Sequence, residues 1–132
     1  MVYIMPKQVI STDSAPAAVG AYSQGVIANG FVFTAGQIPL IPGTSDLREG
    51  GVEAQTRQVM NNIKGVLEAA GSGLDKVVKT TVFLADIKDF AAFNAVYSEF
   101  FPTDPPARTT VQAGGLPIGA LIEVEAVALL EA

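Results

Sequence analysis

The C-terminal stretch of this chain constrains its fold more than any other part. Two β-rich runs, residues 105–113 and 120–130, flank the glycine- and proline-rich residues 114–119, and this pattern predicts a β-hairpin. The second run is apolar except for Glu123 and Glu125. Because side chains alternate along a strand, these two carboxylates are expected on the same face.

The predicted hairpin would collect four polar side chains on one face. Pairing across the loop places Arg108 opposite Glu125 and brings Thr110 opposite Glu123, and a two-residue shift of register keeps all of them together. Unpaired charges among apolar side chains are costly, so these residues are either paired or used. One interpretation is a structural Arg–Glu ion pair. The other is an arginine that binds a carboxylate, beside a glutamate that handles water or protons.

The N-terminal half has the pattern of strands followed by a helix. Asn29-Gly30 between two β-rich runs is the strongest signal, because a type I′ turn needs positive φ at both central residues. Gly36 is interpreted either as a strand end or as a place where a ligand approaches the backbone. The predicted elements are a short edge strand over residues 7–11, strands over 22–28 and 31–35, and an amphipathic helix over 52–70.

The rest of the chain predicts a buried strand and a second helix. Gly71 is expected to end the first helix, and the β-branched run of residues 76–85 is typical of a central strand buried on both faces. Asp89 is expected to cap a helix that ends before Pro102. Its predicted inner stripe is Phe90, Phe93, Val96, Tyr97 and Phe100. The order β-β-β-α-β-α-β-β predicts an α+β fold, a mixed sheet covered on one face by two helices.

Composition narrows the classes of function. The 132 residues fit a single domain over residues 1–132, and the low charged fraction of 16% favours burial of apolar surface between subunits. A net charge of −5 argues against nucleic acid as a partner. The chain has no Cys and no His, which excludes thiolate nucleophiles, Cys-ligated metals and imidazole bases. Residues 1–7 lack signal-peptide features and no run has transmembrane length, so a cytoplasmic protein without membrane association is expected.

Several motifs in one order give the chain a family resemblance. The segments P-A-R-T at 106–109 and L-I-E-V-E-A at 121–126 resemble the C-terminal signature of the RidA (YjgF) family of imine deaminases. Earlier segments agree, namely A-P-A-A-V-G-A-Y-S-Q-G at 15–25, G-Q-I-P at 36–39 and V-K-T-T-V-F-L at 78–84. The resemblance implies a chorismate-mutase-like fold that assembles as a homotrimer, with sites in the clefts between subunits.

The resemblance also implies an activity and a set of site residues. RidA-type enzymes hydrolyse 2-enamine/2-imine acids, such as 2-iminobutanoate and 2-iminopropanoate, to 2-keto acids and ammonia. Arg108 would bind the substrate carboxylate through its planar fork, Glu123 would polarise the attacking water, and Thr110 would offer its backbone carbonyl to the imine nitrogen. The other implied substrate-binding positions are Tyr22, Ala35, Gly36 and Asn94. No cofactor or metal is expected, because an iminium carbon is already electrophilic.

Departures from the family pattern leave the substrate preference open. Many family members carry a serine where this chain has Ala35 and a cysteine where it has Thr110. Tyr22 is equally consistent with an aromatic side chain at a subunit interface, and Asn94 with a side chain on a helix surface. Glu125 is expected to be structural. The alternatives to a deaminase are an endoribonuclease or translation inhibitor, and a non-catalytic, chaperone-like trimer that binds small acids.

Overall fold

The computed structural model describes residues 6–130, so residues 1–5 of the N-terminal segment discussed above lie outside the described part. Its main elements are β1 (Gln8–Ile10), β2 (Gly25–Ala28), β3 (Phe31–Thr34), α1 (Gly51–Ala69), β4 (Val77–Leu84), α2 (Phe90–Phe100), β5 (Ala107–Gln112) and β6 (Ile122–Leu129). The strand predicted over residues 22–28 is shorter at its start. There the buried Gln24 side chain turns inward and donates to the carbonyl of Pro16 (2.7 Å).

These strands form one mixed sheet in the order β1-β2-β3-β6-β4-β5. Of the pairings within residues 6–130, β4 with β5 is parallel and the others are antiparallel. Helix α2 supplies the crossover connection that a parallel pair requires. Both helices pack into the same hydrophobic core on one face of the sheet. The predicted fold class, a mixed sheet covered on one face by two helices, is therefore confirmed.

The hairpin predicted from residues 105–113 and 120–130 is wrong. β4 lies between β5 and β6 and pairs with both of them. The glycine-rich loop passes around the end of β4, where the Ala113 N–H donates to the carbonyl of Leu84 (2.8 Å). The reason is that the α2 crossover sets β5 on the outer side of β4, which leaves the interior position to the more apolar β6.

This strand order also separates polar residues that were predicted to share a face. Thr80 of β4 is the register partner of both Arg108 and Ala126, and its hydroxyl contacts α2, so Arg108 lies on the face that carries the helices. The register partner of Glu123 is Phe83 of β4. Because Thr80 and Phe83 are an odd number of positions apart on one strand, Arg108 and Glu123 lie on opposite faces.

Two turns that were predicted from local sequence are confirmed. Asn29 and Gly30 have φ values of 51° and 80°, which is the conformation of the type I′ turn expected between β2 and β3. Gly71 has a φ of 87° just beyond α1, and its N–H donates to the carbonyl of Glu68 (3.0 Å). Glycine suits this left-handed position because it has no Cβ.

The start of α2 differs from the prediction. Asp89 occupies the N-cap position, but its side chain caps nothing; one turn earlier, the Asp86 carboxylate accepts from the N–H of Lys88 (2.9 Å). A single 3₁₀ turn over Ile87–Asp89 precedes the helix and moves the capping function upstream. Of the predicted stripe, Phe93, Val96 and Tyr97 are buried, whereas Phe90 remains partly exposed. No helix within residues 6–130 combines the length and apolar character needed to cross a membrane.

The second face of the sheet has no helix over it. Large apolar side chains are consequently exposed there, namely Val9, Phe31, Phe33, Val111 and Leu129. Strand β4 is interior but buried on one face only, because Lys79, Thr81 and Phe83 reach the open face and are half-buried. The expectation that it is buried on both faces is thus wrong for the chain by itself.

Candidate active site

An open cavity of about 600 Å³ has Glu123 in its wall, on the sheet side without helices. Its lining is mostly apolar, and Glu123 is the one charged residue among the described residues that form it. The other lining residues are Pro16, Val19, Tyr22, Ala35, Gly36, Gln37, Ile38, Leu40, Pro117 and Ile118. The cavity therefore brings together four of the predicted site residues, which are Glu123, Tyr22, Ala35 and Gly36.

The Glu123 carboxylate is held against a glycine. Beyond the end of β3, Gln37 pairs with Val124 of β6 through reciprocal backbone hydrogen bonds of 2.8 and 3.0 Å. This pairing sets Gly36 directly beside Glu123. A Cβ built on Gly36 would overlap the carboxylate oxygen Oε2 of Glu123. Glycine at this position leaves the space that the carboxylate occupies.

Two polar residues of α1 form hydrogen bonds to the backbone of the cavity wall or of the segment next to it. Asn62 is fully buried, and its Nδ2 donates to the carbonyls of Ile38 (3.2 Å) and Leu40 (2.9 Å). Gln55 accepts from the N–H of Leu121 (2.9 Å), just before β6. Sequence reasoning missed both residues. The available signal was an amide side chain on the inward side of a predicted amphipathic helix, because buried amides need partners.

The environment of Glu123 shifts its protonation. Burial raises the pKa of the Glu123 carboxyl above its ordinary value, and the nearby Glu125 carboxylate adds to the rise. Within residues 6–130 no cation pairs with Glu123. A carboxylate in this setting holds a proton more readily than an exposed one and is a candidate proton acceptor.

Tyr22 and Ala35 lie at the edge of this cavity. The Tyr22 side chain is 51% exposed, and its hydroxyl accepts from the N–H of Val19 (3.2 Å). Ala35 offers only a methyl group to the cavity. The neighbouring Thr34 does not line the cavity and cannot replace a serine there, because its hydroxyl lies within the sheet, where it accepts from the N–H of Ala126 (3.0 Å).

Arg108 lies on the other face, packed against α2. Its guanidinium carbon is 4.8 Å from the ring centroid of Tyr97, 5.3 Å from that of Phe90 and 5.4 Å from that of Phe93. Its Nη1 donates to Oδ1 of Asn94 (2.7 Å). Contacts of this kind stabilise a cation and restrain its plane. The aromatic stripe, predicted only as core, thus also surrounds the arginine.

Thr110 belongs to the Arg108 half of the predicted site. It lies two positions further along the edge strand β5, and its buried hydroxyl has no hydrogen-bond partner among the described residues. A single chain therefore does not assemble the predicted constellation. Arg108, Asn94 and Thr110 are on the helix side of the sheet, and the four cavity residues are on the other. Within residues 6–130 no cluster of Asp or Glu could hold a metal ion.

Comparisons with known proteins agree on the family. The family described as endoribonuclease L-PSP matches residues 12–130. The chain is similar to a 2-iminobutanoate/2-iminopropanoate deaminase of Rattus norvegicus, with 45% identity over 93% of this chain and 90% of the rat protein.

Solved structures extend the likeness to the fold. A putative endoribonuclease L-PSP from Entamoeba histolytica is 52% identical, with a TM-score of 0.90 over 94% of this chain and 99% of that one. TdcF of Escherichia coli with bound serine is 40% identical, with a TM-score of 0.88 over 92% and 98% of the two chains. Since the family match and these relatives span nearly the whole sequence, the chain belongs to the endoribonuclease L-PSP family, which is the RidA family that its motifs resemble.

Proposed function

We propose that this protein hydrolyses reactive 2-enamine/2-imine acids, such as 2-iminobutanoate and 2-iminopropanoate, to 2-keto acids and ammonia. Its relationship to the rat protein supports a Rid-type deaminase. The observation that carries the proposal is the half-buried Glu123 carboxylate, with a raised pKa, in the wall of an apolar cavity. Such a group accepts a proton from water more readily than an exposed carboxylate does.

The proposed reaction uses no metal or organic cofactor. The oxygen of water adds to the electrophilic carbon of the iminium group, and the Glu123 carboxylate accepts a proton from that water. Protonated Glu123 then returns the proton to the nitrogen of the carbinolamine. The C–N bond breaks as the carbonyl forms, and the hydroxyl proton leaves with ammonia as ammonium.

Arg108 is the proposed carboxylate-binding residue. Asn94 engages Nη1, and the planar guanidinium has further N–H donors that can bind a substrate carboxylate through two parallel hydrogen bonds. The rings of Tyr97, Phe90 and Phe93 restrain its plane, so the fork is oriented before substrate binds. Orientation of this kind is a large part of the rate gain when the attacking group is only water.

The proposed active site needs a second copy of the chain. Arg108 and Glu123 lie on opposite faces of one sheet, so a small imino acid cannot touch both within one chain. We therefore place Arg108 of one subunit beside Glu123 of the next, in a homotrimer with clefts between subunits. The uncovered sheet face, with Phe33 and Leu129 each more than 40% exposed, supports burial against another subunit.

A coupled assay tests the proposed activity. A pyridoxal-phosphate-dependent dehydratase generates 2-iminobutanoate from threonine, and the appearance of 2-oxobutanoate is followed with and without this protein. Acceleration that scales with the protein concentration is expected. Unchanged ketone appearance, together with tight binding of 2-oxobutanoate, would select the non-catalytic, small-acid-binding alternative.

An RNA-directed activity is the second candidate, because the matching family carries the description endoribonuclease. The charge of the chain opposes it, with 8 Lys and Arg against 13 Asp and Glu. Binding that rests on phosphate contacts weakens steeply as salt increases. RNA binding with a steep salt dependence, or cleavage of RNA by the purified protein, would favour this second function.

A further inference from the structure

One residue of the cavity rim has a backbone conformation that its side chain does not favour. Ile118 has φ 49° and ψ 27°, and the following Gly119 has φ 80°. The N–H of Ala120 donates to the carbonyl of Pro117 (3.0 Å), which closes the turn. Positive φ at both central residues is the pattern of a type I′ turn, where asparagine, aspartate or glycine is the usual first residue. A β-branched residue at this position is strained.

The packing of the chain does not explain why isoleucine stands there. The Ile118 side chain is 63% exposed, so it gains little from burial in the core. The chain contains a turn with similar φ values, at Asn29 (φ 51°) and Gly30, in which the first residue is the one such turns favour. Strained residues of this type concentrate where a ligand or a partner is bound.

The position of the side chain indicates what it contacts. Ile118 lines the Glu123 cavity together with Pro117, Val19 and Leu40, so the rim around the carboxylate is apolar. We infer that Ile118 determines specificity by contacting the side chain of the bound 2-imino acid. Substrates with a large aliphatic side chain are therefore favoured over substrates with a small one. This inference rests on the proposed function, because it assigns the substrate class of the same cavity.

Ile118→Asn tests the inference, since asparagine suits the turn and removes the apolar contact. The matched control is Ile87→Asn, because Ile87 is 45% exposed in the 3₁₀ turn before α2 and belongs neither to the lining of the Glu123 cavity nor to the strands of the uncovered sheet face. The readout is the ratio of kcat/KM for 2-imino-4-methylpentanoate to that for 2-iminopropanoate. We expect Ile118→Asn to lower this ratio about tenfold, the size of effect that a few apolar carbons give in a binding pocket. Ile87→Asn should leave it unchanged.

A second measurement separates this inference from the proposed activity. Titration calorimetry compares binding of 4-methyl-2-oxopentanoate with binding of pyruvate in the same variants. If no imine is turned over but Ile118→Asn still lowers the binding ratio, the deaminase proposal fails and the specificity assignment stands. If turnover is normal and both ratios stay at the wild-type values, the specificity assignment is overturned. The Ile118→Asn protein could also dissociate in sedimentation while the remaining assembly keeps wild-type ratios. That result would assign Ile118 to a subunit contact and would likewise overturn the specificity assignment.

Discussion

The Arg108 guanidinium is the group whose geometry the proposed chemistry uses most directly. It is stacked among three aromatic rings and bonded to Asn94, which restrains both its plane and its direction. Lysine would keep the positive charge but would lose the fork and most of the stacking. The residue could be named from a sequence motif, but its aromatic surroundings could not, because a stripe of aromatic side chains on a helix is typical of ordinary core.

Arg108→Lys should lower kcat/KM for 2-iminobutanoate on the order of 10²-fold, because a substrate held by one contact is poorly oriented for attack. Steady-state kinetics with the coupled assay measure this change. Sedimentation of the same variant serves as the control, and the assembly should be unchanged. Wild-type kcat/KM in Arg108→Lys would show that the planar fork is not used.

Glu123→Gln should remove the acid side of the pH–rate profile. Glu123 must be ionised to accept a proton, so wild-type kcat/KM is expected to fall as the pH drops through its raised pKa. Glu125→Gln is the matched control, because it removes the second cause of the raised Glu123 pKa. The fall in kcat/KM should then occur at lower pH. If Glu123→Gln keeps residual activity and its kcat/KM still falls at low pH as in the wild type, another group is responsible for that fall.

The same raised pKa predicts a dependence of stability on pH. The folded state favours protonated Glu123, so this contribution to stability is present below the ordinary pKa of a glutamate. It is lost as the pH rises through the raised pKa of the folded protein. Glu123→Gln should therefore match the wild-type Tm in acid and exceed it near neutral pH. Thermal unfolding followed across this range measures the difference, and a lower Tm for the variant at neutral pH would contradict the assignment.

The way the elements are arranged explains which predictions succeed. The Asn29-Gly30 turn and the Gly71 helix end depend on a few neighbouring residues, so local sequence is enough to predict them. The pairing of β5 and β6 is not local. The same alternating pattern and glycine-rich loop are compatible with a hairpin, and only the α2 crossover, which sets β5 outside β4, excludes it. For this reason the sequence predicts Arg108 and Glu123 as site residues, but their predicted placement on one face is wrong.

The segment after β3 gives a test at this level of structure. Gly36→Ala would place a Cβ against the Glu123 carboxylate and force either that side chain or the Gln37–Val124 pairing to move. Displacement of a catalytic group by about 1 Å costs on the order of 10²-fold in rate, so kcat should fall by that order. Gly114→Ala is the control, because a Cβ there meets no atom within 4 Å. Equal kcat values for the two variants would show that the space at Gly36 does not affect catalysis.

For the whole molecule, the central claim is that the site forms between copies of the chain. An apolar sheet face without a covering layer and a charged fraction of 16% both favour a face that is buried on assembly. Because Arg108 and Glu123 lie on opposite faces, the proposed activity would require assembly as well. A stable, fully active monomer would be incompatible with this account.

Mixing two inactive variants tests this claim most directly. Arg108→Ala and Glu123→Gln are each expected to be nearly inactive as homotrimers, because every cleft lacks one partner. When the two chains are co-expressed in equal amounts, a cleft with both groups intact forms wherever Arg108 of a Glu123→Gln subunit meets Glu123 of an Arg108→Ala subunit. Random assembly of equivalent clefts predicts recovery of about one quarter of wild-type kcat per cleft. If the mixed trimers form but stay as inactive as the separate variants, the two residues do not share a cleft and the account is contradicted.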